Sequence, residues 1–210
     1  MYSLPHFKEK DASVVLEFMK QHSFATLICV DAEQKPVATQ IPFLFAERGG
    51  HLYLRGHIMK GTDHHKAMEL NQQVLVLFTG PHAYISASWY ENKQQASTWN
   101  YMTVHARGEL TFLAEKELLE ILDETTSFYE NDPASPALYK EMSPDYVMRL
   151  SKAIVAFEVR VARLEHVFKL SQNRDLKSYD NILANLEAGD PGAQAVAKEM
   201  RKRKDQLFDR

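Results

Sequence analysis

Two groups of side chains in this chain have the types and spacing to do chemistry, and two more are weaker candidates. The first is Tyr53-Leu54-Arg55-Gly56-His57, followed by Lys60 and Thr62. In extended backbone Arg55 and His57 project to the same face, and Gly56 lets a ligand or another backbone come close. Lys60 precedes a helix whose first amides lack partners, and cations beside free N–H groups make a phosphate pocket. The same residues also suit an ordinary solvated strand end. The second group is Gly80-Pro81-His82-Ala83-Tyr84 through Trp89-Tyr90, then Thr98-Trp99-Asn100-Tyr101, which holds both tryptophans of the chain. Such aromatic density in loop-like chain serves a core plug, a subunit contact or a flat ligand. The third is His57 with His64-His65. Adjacent helical histidines diverge, and no carboxylate or thiolate stands at ligand spacing, so no metal is expected. The fourth is the basic tail Lys198, Arg201, Lys202, Arg203, Lys204. Interleaved with Glu199 and Asp205, it reads first as a solvated helix face and only then as a DNA contact. No nucleophile elbow, Walker loop or dinucleotide fingerprint occurs.

The elements that must position these groups follow from periodicity. Asp11 caps a helix carrying Val14, Val15, Phe18 and Met19 on one stripe. Phe24 to Val30, Val37 to Phe45 and His51 to His57 read as three strands of a meander, joined by turns at 31–36 and at Arg48-Gly49-Gly50. Asp63 caps a short helix through Leu70. Gln73 to Thr79 is a nearly apolar strand, expected to be buried on both faces. Gly80-Pro81 breaks it, and His82 to Ser86 resumes. Thr98 to Leu113 is the longest extended segment, and from Met102 its apolar even positions alternate with polar odd ones. A helix from Glu115 to Tyr129, one opened by Ser143-Pro144, a strand from Ile154 to Leu164 and two helices broken at Gly189-Asp190-Pro191 complete the chain. Strands joined mostly by short loops predict an antiparallel barrel decorated by helices.

Composition sets the outer bounds. The 210 residues are 45% hydrophobic and 25% charged, with net charge -3, which excludes a disordered tail and a disulfide-stapled miniprotein and gives no global attraction to nucleic acid. No run of about 18 apolar residues suggests a membrane span, and the opening residues lack the order of a secretory signal. Cys29 is the only cysteine. It excludes an intrachain disulfide, reads as a small buried hydrophobe and favours a cytoplasmic home.

Several strings, in order, resemble the PaiB family of FMN-binding negative transcriptional regulators. They are Phe24-Ala25-Thr26-Leu27, Leu54-Arg55-Gly56-His57, Thr79-Gly80-Pro81-His82-Ala83-Tyr84-Ile85-Ser86, Thr98-Trp99-Asn100-Tyr101 and Lys169-Leu170-Ser171-Gln172-Asn173. The resemblance implies a mainly β fold with helices, an antiparallel split β-barrel of the FMN-binding type, over residues 1–174, with a C-terminal helical extension at 175–210. It implies a homodimer with FMN shared across the interface. The flavin phosphate would meet Arg55, Gly56, His57 and Lys60. The ring would lie along Thr39, Gln40 and Ile41, with Tyr101, Thr103 and Lys169 closing the site, the last from the partner chain. Two positions depart from the family: Thr62-Asp63 stands where relatives often carry Asn-Pro, and Gln40 where histidine is common. Asp63 would repel a phosphate unless it turns away as a helix cap. The functions implied are a flavin-dependent oxidoreductase or a transcriptional regulator. The alternatives are a flavin-free dimeric interaction module, or a repressor that binds DNA through its basic C-terminal helix.

Overall fold

The computed structural model describes residues 1 and 4–208, and among them it forms seven strands and seven α-helices. Tyr2 and Ser3, part of the opening stretch read above, lie outside the described residues, as do Asp209 and Arg210 of the helical extension. The strands are β1 (Phe24–Val30), β2 (Pro36–Pro42), β3 (Leu44–Arg48), β4 (His51–Met59), β5 (Gln73–Ile85), β6 (Thr98–Phe112) and β7 (Ile154–Lys169). The helices are α1 (Ala12–Gln21), α2 (Asp63–Leu70), α3 (Glu115–Glu130), α4 (Pro144–Ser151), α5 (Leu176–Glu187), α6 (Pro191–Arg201) and α7 (Lys204–Phe208). The strands form one sheet in the order β2-β1-β5-β6-β7-β4-β3. The chain divides into two compact units. One comprises Met1–Met19, Thr79–Val104 and Glu165–Arg210, the other Lys20–Phe78 and His105–Leu164.

In the second unit two hairpins carry the architecture. β1 pairs antiparallel with β2, from Phe24 opposite Pro42 to Val30 opposite Pro36. β3 pairs with β4 through a turn at Gly49 and Gly50, whose φ values of 57° and 75° suit a tight hairpin. The strand expected over Val37 to Phe45 is therefore two strands, and the meander is not formed: β2 and β3 sit at opposite ends of the strand order. The reason is Phe43, at 1% exposure, between them. Its ring packs 6.0 Å from Phe78 and 6.1 Å from Phe157, and its N–H donates to the Ser23 carbonyl at 2.9 Å. Burial of one aromatic ring redirects the chain.

β4 pairs with β7 from Tyr53 opposite Arg160 to Met59 opposite Ile154. A Cβ on Gly108 of β6 would lie 2.3 Å from the Arg160 carbonyl oxygen, so only glycine permits that approach of two backbones. α3 lays Leu118 and Ile121 on Leu44 and Ala156. Cys29 is buried, and burial, with Asp63 and Asp31 adding, pushes its thiol up to about 11.

In the first unit α1 buries Val15, Phe18 and Met19, with Phe18 5.1 Å from Phe168. Asp175 and Asp190 cap α5 and α6, and the Tyr179 hydroxyl ties these helices by donating to the Met200 carbonyl at 2.7 Å. Three details differ from the sequence reading. Gly80-Pro81 does not interrupt β5, which runs to Ile85. β5 buries Val74, Val76 and Phe78 while the alternate Leu75 and Leu77 stay half-buried, so it is not enclosed on both faces. β7 continues past Leu164 to Lys169. Among the described residues no helix is long and apolar enough to cross a membrane. Because Phe43 separates the hairpins, Phe43→Ala is expected to cost about 3–5 kcal/mol, read as a lower urea midpoint.

Candidate functional site

A strand at the end of a sheet leaves one backbone edge outside the ladder. β2 is such a strand, pairing only with β1. β4 loses its β3 partner after Arg55, so residues 57–59 pair on the β7 side alone. These two edges, 38–42 and 57–59, line a cavity of about 410 Å³, closed by residues 62–64 at the start of α2 and by Ile154. Thr39, Gln40, Ile41 and His57 all line it.

The start of α2 is built by its own first residues. Thr62, not Asp63, is the N-cap, and its hydroxyl accepts the His65 N–H at 3.1 Å. Asp63 occupies the first helical position, and its carboxylate accepts the His64 N–H at 2.8 Å. Its charge is therefore held on the helix's first turn. His64 is 4% exposed, and neither Nδ1 nor Nε2 has a hydrogen-bond partner. Burial lowers its pKa, with Asp63 opposing, and burial also lowers that of His57. Both imidazoles are neutral near pH 7. A buried neutral imidazole has one donor and one acceptor to satisfy, and the space that His64 lines is this cavity.

The other residues singled out on β4 lie elsewhere. The Arg55 guanidinium donates to both Glu124 oxygens at 2.8 Å and does not line the cavity. A Cβ on Gly56 would stand 3.2 Å from Phe157, 3.3 Å from Ile41 and 3.4 Å from the Pro42 carbonyl, so the missing side chain lets β2 pack against β4. Lys60 is exposed, its N–H donates to the Ala153 carbonyl at 2.8 Å, and its side chain borders a separate cavity of about 250 Å³ near the start of α3.

Tyr101, Thr103 and Lys169 belong to the first unit. Thr103 is buried and Tyr101 half-buried. Lys169 donates to the Thr98 hydroxyl and lies 6.0 Å from the Phe7 ring centroid; burial first, then Arg174, lowers its pKa. The aromatic string of this unit splits in two. Tyr90 is fully buried, with Arg174 stacked 4.1 Å from its ring. Tyr84 and Trp99 are half exposed, 5.9 Å apart, on a cleft of about 620 Å³ whose far side is the α5–α6 turn.

Sequence reasoning put Thr62 at the end of the Tyr53-to-Lys60 group but did not assign His64 or Ile154 to a flavin site. His64 entered it only as a weak metal candidate. Its burial depends on how α2 docks on β1 and β2.

The two neutral histidines set a pH dependence. Their folded pKa values lie below the ordinary value of about 6.5, so the unfolded chain takes up protons first as pH falls. Stability is full above the unfolded value and is lost as pH drops from there through the folded values. Thermal melts between pH 7.5 and 5 should show this fall, and His64→Leu should make it shallower.

Residues 1–163 match the family model described as "Putative FMN-binding domain". The chain is 35% identical over 201 residues to protease synthase and sporulation protein PAI 2 of Bacillus subtilis, covering 95% of this chain and 96% of the relative. It is 27% identical to an uncharacterized protein of Emericella nidulans, covering 71% and 72%. Among solved structures, the flavocytochrome Anf3 of Azotobacter vinelandii matches with a TM-score of 0.54 at 13% identity, over 80% of this chain and 72% of that one. The FAD and heme binding protein of Mycobacterium smegmatis matches with a TM-score of 0.52 at 18% identity, over 77% and 72%. With its antiparallel strands in that arrangement, the chain has the split β-barrel fold and belongs to the FMN-binding domain family that includes PaiB.

Proposed function

We propose that the β2–β4 cavity is the FMN site and that the protein acts as a flavin-dependent redox protein, working as a cytoplasmic homodimer. The observation that carries this reading is the cavity itself. Two unpaired strand edges, with Thr39, Gln40, Ile41 and His57, and the start of α2, with Thr62 and His64, line a space of about 410 Å³. Those residues fit a planar heterocycle with a polyol arm, because hydroxyls and ring amides satisfy neutral donors and acceptors of this kind. When bound, FMN would supply one- and two-electron redox chemistry. The chain's own residues bind and orient it, with Thr39, Gln40 and Ile41 along the ring. Arg55, the Gly56 amide, His57 and Lys60 are the proposed phosphate set, with Arg55 exchanging Glu124 for the phosphate. Tyr101, Thr103 and Lys169 are proposed to close the site, Lys169 from a second copy.

A regulatory role fits control by flavin state better than direct DNA binding. Four of the five tail cations are paired: Arg201 with Glu187, Lys202 and Arg203 with Glu199, and Lys204 with Asp180. A duplex would have to displace these carboxylates before it gained contacts.

Fluorescence titration of the purified chain with FMN tests the reading. Saturation at one FMN per chain is expected, with Gln40→Leu weakening it roughly 3–10-fold, the worth of one neutral hydrogen bond. Arg55→Ala should weaken FMN about tenfold through loss of a charge-assisted bond and leave riboflavin unchanged. Absence of flavin binding by the wild type refutes the assignment.

A further inference from the structure

We infer that a second cavity, of about 370 Å³ and mostly apolar, is a binding site for a neutral aromatic molecule, set beside the flavin cavity. Its place beside a flavin rests on the reading of the β2–β4 cavity; the site itself does not. α3, α4 and the segment between them enclose it against the ends of β4 and β7. One part of its wall belongs to the core, since Leu122 and Ile154 pack on the cluster of Leu118, Ile121 and Ala156. Met59 and Ile154 line both this cavity and the β2–β4 cavity, so the two spaces share a wall.

The chemistry of the lining selects the occupant. Among the described residues no Asp, Glu, Lys, Arg or His lines the cavity. Its two aliphatic hydroxyls are already engaged. Thr126 donates to the Asp123 carbonyl at 3.1 Å and accepts the Tyr139 N–H at 3.0 Å, and Ser151 donates to the Met148 carbonyl at 3.3 Å. The phenols of Tyr139 and Tyr146 are the other polar side-chain groups of the wall. A charged molecule would lose its hydration there and meet no counter-charge. Met59 and Met142 supply soft, adaptable thioethers, and these pack favourably on aromatic rings, as do the two tyrosines. The fold leaves this wall partly unused. On α4, Tyr146, Val147, Leu150 and Ser151 line the cavity while Asp145 and Arg149 do not. Tyr146 and Leu150 are nevertheless 46% exposed, and Met59 is 61% exposed. A concave apolar space with few polar groups is the form of a small-molecule site rather than of a flat contact between chains.

The test is calorimetric titration of the purified chain with 2-naphthol, uncharged near neutral pH, and with naphthalene-2-sulfonate, each with and without saturating FMN. Binding of 2-naphthol is expected, with the sulfonate weaker by roughly tenfold or more and with FMN leaving the 2-naphthol affinity unchanged. Ala153→Phe, at an exposed position of the wall, fills the space, and Leu150→Glu puts a charge beside it. Each should weaken 2-naphthol roughly tenfold or more and leave FMN affinity as in the wild type. Absence of 2-naphthol binding, equal binding of the sulfonate, or no effect of either variant overturns the inference. So does displacement of 2-naphthol by FMN, which would put the probe in the β2–β4 cavity. A wild-type dimer that sedimentation shows to dissociate on Leu150→Glu would make this face a contact between copies and overturn it as well. Wild type that binds 2-naphthol but no flavin would instead refute the reading of the neighbouring cavity and leave this site standing.

Discussion

The burial of Phe43 is the constraint on which the second unit depends. A chain that ran straight from Val37 to Phe45 would pair as a meander and satisfy its own edges. Instead the Phe43 ring enters the core against Phe78 and Phe157, and Pro42 before it has no N–H to offer a ladder. The two hairpins therefore go to opposite ends of the strand order. β2 keeps one backbone edge unpaired, and β4 outlasts β3 by four residues, Gly56 to Met59. Gly56 then lets Ile41 and Pro42 approach β4 more closely than any other residue would. The cavity is what remains between two edges that the register leaves without partners.

Charge is placed around this cavity rather than in it. Arg55 turns to Glu124 on α3, and its side chain is only 14% exposed, so the pair is sheltered but open to water on the Glu124 side. Asp63 spends its charge on the first turn of α2. Lys60 lies by the start of α3, beside Glu115. The interior keeps neutral groups, and the cations that an anionic ligand needs stand beyond it, one of them already engaged. Engagement of that kind costs a ligand part of its gain, because the carboxylate must be released before the guanidinium can turn. It also keeps a buried guanidinium from standing uncompensated in the empty protein.

Much of the fold was legible because its signals are local. Alternation from Met102 to Phe112, the Gly49-Gly50 turn, Ser143-Pro144 and Asp190-Pro191 each state an element within a few residues. The misses are places where a distant packing partner overrides a local rule. Phe43 is one. Gly80-Pro81, two residues that usually end a strand, is another, and β5 carries them to Ile85 without interruption. The same division runs through the site. His57 was visible from its strand position, whereas Thr39, Gln40 and Ile41 came from the family resemblance, since an edge strand's free backbone leaves no mark in composition. His64 escaped because its environment is made by the docking of α2, not by its neighbours in sequence.

His64 also shows how such a site is held in a stable fold. An imidazole with two unsatisfied buried nitrogens costs about 1–3 kcal/mol per group, a large share of the stability of an ordinary domain. The surrounding helix is otherwise well made: Thr62 caps it, Asp63 complements its dipole, and Ala67 and Met68 anchor it in the core. Those local gains offset the defect and hold the side chain where no partner from the protein reaches it. Within α2 the cap, the first-turn charge and the core contacts all agree with the fold, and the His64 ring is the buried polar group of this helix left without a partner. His64 and the unpaired strand edges line one space, so the docking of α2 and the register of β2 and β4 shape it together.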